Sequence, residues 1–210
     1  MTILALEFSS ERRSAALARD GMVLSEAAGQ DAGRATDALG LIGKVLAEAK
    51  ISREEIEAIA VGLGPGSYTG IRAAIAVAQG WQLARGVKLL GVGSAESLAA
   101  QAQAGKIFGR VNVVVDAQRG EFYLATWEIS GAARTLIAPL KIVTATEVKS
   151  WRAAGEIFVG PEEAAALLPQ AAMVARLAAG RTDFCAGEKL EPVYLRETTF
   201  IKTQPATTSR

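Results

Sequence analysis

The chain has 210 residues, half of them hydrophobic, with a mean hydropathy of +0.22 and 23 Lys plus Arg against 22 Asp plus Glu. This length suits one large domain or two small ones, and a net charge of +1 gives no strong field for nucleic acid or an anionic membrane. Histidine is absent and Cys185 is the single cysteine. That excludes a Ser-His-Asp triad, a His-based metal helix, an internal disulfide and a cysteine-rich zinc site, and it fits a buried structural thiol in a reducing, cytoplasmic setting.

The chain opens on a short apolar run, Thr2 to Phe8, without a basic leader, so a buried strand is expected and no signal peptide. Ser14 to Ala18 and Met22 to Ala27 flank Asp20-Gly21, a hairpin signal, which makes a three-stranded meander. Ala35 to Lys50 reads as a helix, Glu54 to Ile56 as a short turn and Ala58 to Leu63 as a strand. Gly64 to Gly70 is a loop, Ile71 to Arg85 a helix, Lys88 to Val92 a strand and Ser94 to Gln103 a helix. The longest uncharged stretch, Ala58 to Ile71, is shorter than the roughly 18 apolar residues of a membrane span.

A second unit begins near Lys106. Val111 to Val115, Phe122 to Glu128 and Leu136 to Val143 read as strands, with a turn at Asp116 to Gly120. Thr144 to Trp151, Glu162 to Leu168 and Ala172 to Ala179 read as helices, with a strand at Ile157 to Val159. Strands first, then helices and strands alternating, in both halves, imply a duplicated α/β architecture: residues 1–105, residues 106–197 and a mobile tail at 198–210.

Gly62 to Gly70, with the sequence Gly-Leu-Gly-Pro-Gly-Ser-Tyr-Thr-Gly, lies between a strand and a helix, where backbone amides could cradle an anion. It matches neither common nucleotide motif. A phosphate-binding P-loop needs Lys-Ser/Thr after the last Gly, where Ile71-Arg72 stand, and the dinucleotide fingerprint needs Gly where Ser67 or Thr69 stands. The preferred reading is a tight turn with close helix–strand packing.

Gly64 to Arg72, Gly-Pro-Gly-Ser-Tyr-Thr-Gly-Ile-Arg, resembles the signature of the TsaB (YeaZ) family, and segments at Ile3 to Ser10, Leu90 to Ala99, Asp116 to Tyr123 and Glu191 to Arg196 fit the same family in order and spacing. The resemblance implies an actin-like, ASKHA-type fold of two related α/β domains. It also implies a part in bacterial biosynthesis of threonylcarbamoyladenosine on tRNA, beside the transferase TsaD and the ATPase TsaE, with a homodimer when TsaD is absent. No catalytic residue, cofactor or metal is expected on this chain. Ser94 and Leu98 stand where TsaD carries its two metal-binding histidines, and neither replaces one. Glu7 stands where family members usually keep Asp, Glu7 to Ser10 lacks the glycine of a phosphate loop, and Asp116 reads as a turn cap.

Two helices give the expected partner surface. Ala38, Leu39, Leu41, Ile42, Val45, Leu46 and Ala49 share one face and Thr36, Gly40, Gly43 and Ala47 the opposite strip. Each mid-helix Gly costs about 1 kcal/mol relative to Ala, so the smooth strip calls for a reason such as a close helix–helix approach. The next helix has Ala73, Val77, Trp81 and Ala84 on one side and Ile71, Ile75, Ala78 and Gln82 on another. A helix apolar on two sides is covered on two sides, and the resemblance implies that both helices pair with those of TsaD. The alternative is an ATP-dependent kinase or hydrolase of the same fold, with Glu7 and Asp116 as its acidic candidates. A purely structural homodimer is the third reading.

Overall fold

A computed structural model of the chain describes residues 1–29, 38–163 and 166–195. Five strands, β1 (Thr2–Glu7), β2 (Arg13–Arg19), β3 (Met22–Gly29), β4 (Ala58–Gly62) and β5 (Lys88–Val92), form a sheet of order β3-β2-β1-β4-β5. Four more, β6 (Gly109–Asp116), β7 (Glu121–Ile129), β8 (Arg134–Thr144) and β9 (Ile157–Val159), form a second sheet of order β8-β7-β6-β9. In each, the first three strands are an antiparallel meander and the next pairs parallel to the first of them. The repeat of this pattern is the actin-like ASKHA fold of two related α/β units.

The strands arise where the sequence demands them. All six residues of β1 and all five of β4 are buried, which an apolar run between two covering layers requires. One face of the first sheet carries α1 (Ala38–Ala49) and α2 (Tyr68–Arg85), whose Ile42, Val45, Ile71 and Ala74 meet Leu4, Leu6, Ile59 and Val61. The other face carries α5 (Ala171–Ala178). Its Ala171, Ala175 and Ala178 pack on Ala5, Ala16, Ala58 and Ala60, small against small, so helix and sheet approach closely. The start of α5 is fixed from far away in sequence: Ala171 N donates to Ser14 Oγ (2.9 Å) and Ala172 N to Glu26 Oε1 (3.2 Å).

The helices cross between the two halves of the sequence. α3 (Ser94–Ala104) buries Ala95, Leu98, Ala99 and Ala102 against Val111, Val113 and Val115 of the second sheet, while α5 returns to the first. α4 (Ala145–Ala153) covers the outer face of the second sheet through Val148 and Trp151, and its start is a capping box between Thr144 and Glu147.

Three expectations are corrected. α2 starts at Tyr68 rather than Ile71, because Ser67 caps it by accepting a hydrogen bond from Gly70 N, so the end of the glycine loop is already helix. Glu162 to Leu168 is not a helix among its described residues: Glu162 and Glu163 form a turn and 166–168 have no regular structure. Leu39 does not join the core face of α1. It is 63% exposed, because α1 lies over β2 and the edge strand β3 and buries only the narrow arc of Ile42, Val45 and Leu46. Residues 35–37 of the expected first helix and the tail at 198–210 lie outside the described residues.

Residues 185–194 form a strap across α2. Cys185 N donates to Leu89 O (2.9 Å), Gly187 N to Gln82 Oε1 (2.7 Å), Gln79 Nε2 to Gly187 O (2.8 Å) and Val193 N to Leu63 O (2.8 Å). Leu190 enters the core between α2 and the sheet. Cys185 is half-buried rather than buried, and partial burial pushes its thiol up. Gln82→Ala leaves the Gly187 amide without its partner, a loss of about 1 kcal/mol. The expected result is a melting temperature about 2–4 °C lower in a calorimetric scan; an unchanged value would mean the strap is held elsewhere.

Candidate functional site

Two parts of the molecule can do functional work: the cleft where the two sheets meet, and the outward face of α1 and α2. The glycine loop joins them. Ser67 N donates to Ser9 O (2.7 Å), which ties the start of α2 to the turn after β1. A Cβ on Gly66 would land on the Ser9 carbonyl oxygen, and one on Gly70 on the Phe8 carbonyl oxygen. Gly66 has a φ of +147°, a region that side chains avoid. The glycines of the signature therefore let two backbone segments touch, which is the close helix–strand packing that the sequence led us to expect.

Beneath the loop lies Glu7, fully buried at the end of β1. Its Oε1 accepts from Ser9 N (2.7 Å) and its Oε2 from Ser94 Oγ (2.9 Å), the first residue of α3. Ser94 Oγ in turn accepts from Gly64 N (3.1 Å), and Ser94 N donates to Gly64 O (2.7 Å). A Cβ on Gly62 would fall on the Glu7 carboxyl, so the glycine leaves the space that the longer acid fills. Burial pushes the Glu7 carboxyl up, and hydrogen bonds from Ser9 and Ser94 only partly offset this. Ser9 Oγ is buried and close enough to favour the charged form, yet it has no well-formed hydrogen bond.

The cleft above has a volume of about 690 Å³. One wall is Ser10, Arg13, Ser67 and Tyr68; the facing wall is the β6–β7 turn with Asp116 and Arg119. Asp116 Oδ1 accepts from Gln118 N (2.7 Å), the turn-capping role expected of it. At the mouth, Tyr68 and Tyr194 lie with ring centroids 5.6 Å apart, and the Arg72 guanidinium stands 5.4 Å from the Tyr68 ring centre. Among the described residues no three acidic or cysteine side chains are grouped to hold a metal ion.

The expected interface residues divide. Gly40 and Ala47 are exposed and Gly43 is half-buried, all on the outward side of α1, and a Cβ on Gly43 would meet open space. Thr36 lies outside the described residues. On α2 the expectation is corrected: Ile71, Ile75 and Ala78 are buried at 1%, 6% and 0% exposure in the chain's own core, and Gln82 is occupied by the strap. The outward side of α2 is Thr69, Ala73, Ala76, Gly80 and Leu83, all exposed, with open space around a Cβ on Gly80 and Leu83 89% exposed. Periodicity found the two sides of this helix but not which one the chain covers itself; the solvent-facing spacing of small residues at 73, 76 and 80 was the available signal. Among the described residues no helix is long and apolar enough to cross a membrane.

A family model described as TsaD, tRNA N6-adenosine threonylcarbamoyltransferase, matches residues 26–193. The tRNA threonylcarbamoyladenosine biosynthesis protein TsaB of Escherichia coli K12 is 33% identical over 128 residues, 61% of this chain and 55% of that protein. The chain belongs to this family, in its TsaB (YeaZ) branch. The TsaB of Bacillus subtilis 168 is 28% identical over 141 residues, 66% of this chain and 60% of that protein. The alignments thus span little more than half the length of these TsaB relatives. Among solved structures, a Pseudomonas aeruginosa protein described as similar to peptidase YeaZ superposes with a TM-score of 0.78 at 27% identity, covering 93% of this chain and 99% of that one. A structure described as YeaZ from the same organism gives 0.77 at 27% identity, over 92% and 99%.

Two substitutions test the site's construction. Gly66→Val forces a side chain onto the Ser9 carbonyl at an unfavourable φ, costing about 2 kcal/mol or more. The melting temperature should fall by about 4–8 °C; a fall of under a degree with activity lost would make the loop a ligand contact instead. For Glu7 the raised pKa favours the neutral acid in the folded chain. That stability is full below the ordinary value of 4.5 and is lost as pH rises through the raised folded value. Glu7→Gln keeps the shape and cannot ionise, so its melting temperature should exceed that of the wild type by a margin that is absent below the ordinary value of 4.5 and widens as pH rises above it. Parallel melting curves across this range would show that Glu7 ionises no differently when folded.

Proposed function

We propose that this protein is a non-catalytic subunit in bacterial biosynthesis of threonylcarbamoyladenosine on tRNA, acting in the cytoplasm. It forms a heterodimer with the transferase TsaD, stabilises and activates that enzyme, and helps present a surface to the ATPase TsaE. The observation that carries this reading is the outward face of the first sheet's helical layer. Gly40, Gly43 and Ala47 on α1 and Ala73, Ala76 and Gly80 on α2 make two smooth strips on helices that cover the same side of the sheet. Mid-helix glycines weaken a helix that stands alone and suit one that another helix approaches closely. Leu39 and Leu83, both largely exposed, add apolar area beside the strips. The family's part in tRNA modification supports the choice of TsaD as the partner, and a second copy of the chain takes its place when TsaD is absent.

The reading is tested by analytical ultracentrifugation of the chain with and without TsaD. Gly43→Leu and Gly80→Leu each add a large side chain where the isolated chain has open space. Overpacking a tight contact costs typically about 1–3 kcal/mol, so each should weaken the complex by about tenfold or more. Each should leave the isolated chain folded, since Leu favours helix over Gly. Normal binding by both variants would remove this face as the interface, and no complex with the wild type would remove the partner.

A further inference from the structure

We propose that the helical face of the first sheet is built for an acidic protein surface, and that a second copy of the chain meets like charge there. The inference rests on the partner role proposed above and deepens it, by giving the sign of the charge that the partner must carry. An open depression of about 390 Å³ lies at the C-terminal end of α1. Gly43, Leu46, Ala47 and Ile51 line it with apolar surface, and Lys50 and Arg53 flank them. It can seat one apolar side chain of a partner with two cations beside it.

The carboxylates of α1 and of residues 53–57 are already engaged. Glu48 pairs with Lys44 (4.0 Å), Glu54 with Arg85 (3.4 Å), Glu55 with Arg19 (2.8 Å) and Glu57 with the Met1 ammonium (3.8 Å). α2 contains no acid. Lys50, Arg53 and Arg72 are exposed, and among the described residues none of them has a carboxylate within the 4.0 Å of an ion pair. Arg72 stands four residues before Ala76 on α2, so it borders the smooth strip. Its guanidinium is 5.4 Å from the Tyr68 ring centre and its Nη1 donates to Tyr68 Oη (3.4 Å), which holds it in place without neutralising it. The ion pairs cancel, and the charge left on this face is positive.

The placement of the cations separates an acidic partner from a second copy. The Arg85–Glu54 ion pair sets the C-terminal end of α2 beside the segment that follows α1, so the two helices run the same way. Lys50 and Arg53 therefore mark one end of the face and Arg72 the other. If the helices of a second copy ran parallel to these, each cation would meet its own kind. If they ran antiparallel, Lys50 and Arg53 would meet Arg72. Either arrangement sets positive charge against positive charge, which costs affinity and slows encounter, whereas an acidic surface gains on both counts. The apolar strips offer contact area to either occupant, so charge is what discriminates between them.

The test measures binding of the tag-free chain to TsaD by stopped-flow kinetics, and self-association of the chain alone by sedimentation equilibrium. Both are run at about 0.05 M and about 0.5 M salt, a range over which exposed charges become largely screened. Association with TsaD should slow by about tenfold or more at the higher salt, and self-association should tighten. At low salt Arg53→Glu should weaken TsaD binding by about tenfold and Lys50→Gln by about threefold, each with a flatter salt dependence. Lys149→Glu, on α4 over the second sheet, changes the net charge as much as Arg53→Glu and should alter neither measurement. The proposal is overturned if TsaD binds equally fast and tightly at both salts, if Lys149→Glu weakens binding as much as Arg53→Glu, or if the chain alone associates more tightly at low salt. A wild-type chain that binds no TsaD at either salt would remove the partner reading together with this one, and that result is distinct from a complex that forms without regard to salt. The salt comparison needs only the unaltered chain, so a variant that failed to fold would not rescue the idea.

Discussion

The contact on which the molecule's functional geometry depends is backbone against backbone: Gly66 and Gly70 resting on the carbonyls of Ser9 and Phe8. It sets the distance between the turn after β1 and the first turn of α2, with the Ser67–Ser9 hydrogen bond as its clasp. From there two consequences run in opposite directions. Inward, the wall of the cleft is fixed at Ser10, Ser67 and Tyr68. Outward, the same placement sets the rotation of α2, so that Ile71, Ala74 and Ala78 enter the core and Ala73, Ala76 and Gly80 face solvent. A single side chain at either glycine would move both surfaces at once.

Ser94, Leu98 and Glu7, the positions at which the resemblance implied departures from TsaD or from other TsaB proteins, have structural employment here. Ser94 bridges Glu7 and the glycine loop, and Leu98 is fully buried against the second sheet. Glu7 fills the space that Gly62 leaves open, and its extra methylene reaches the hydroxyl of Ser94.

Much of this was legible in the residues. The strands were, because β1 and β4 are buried on both faces and read as unbroken apolar runs. The glycine loop was, because glycine spaced through a strand–helix turn has few purposes. The orientation of α2 was not. The helix is apolar on two sides, and the strap that Gln79 and Gln82 hold against it comes from more than a hundred residues away. Local periodicity carries no information about such a partner. The same limit applies to Leu39, whose exposure follows from α1 lying over a sheet edge, and to residues 162–168, whose helical composition did not produce a helix among the described positions.

The crossing of α3 and α5 has a consequence for how the chain comes apart. Each sheet borrows a covering helix from the other half of the sequence. If the second half loosened alone, α5 would be pulled from the alanine face of β1, β2 and β4, and that face would meet water. If the first loosened alone, α3 would leave the valines of β6. Neither half has an independent unfolded state to visit cheaply, so two structural units share one cooperative transition. Such interlocking favours one unfolding step over two.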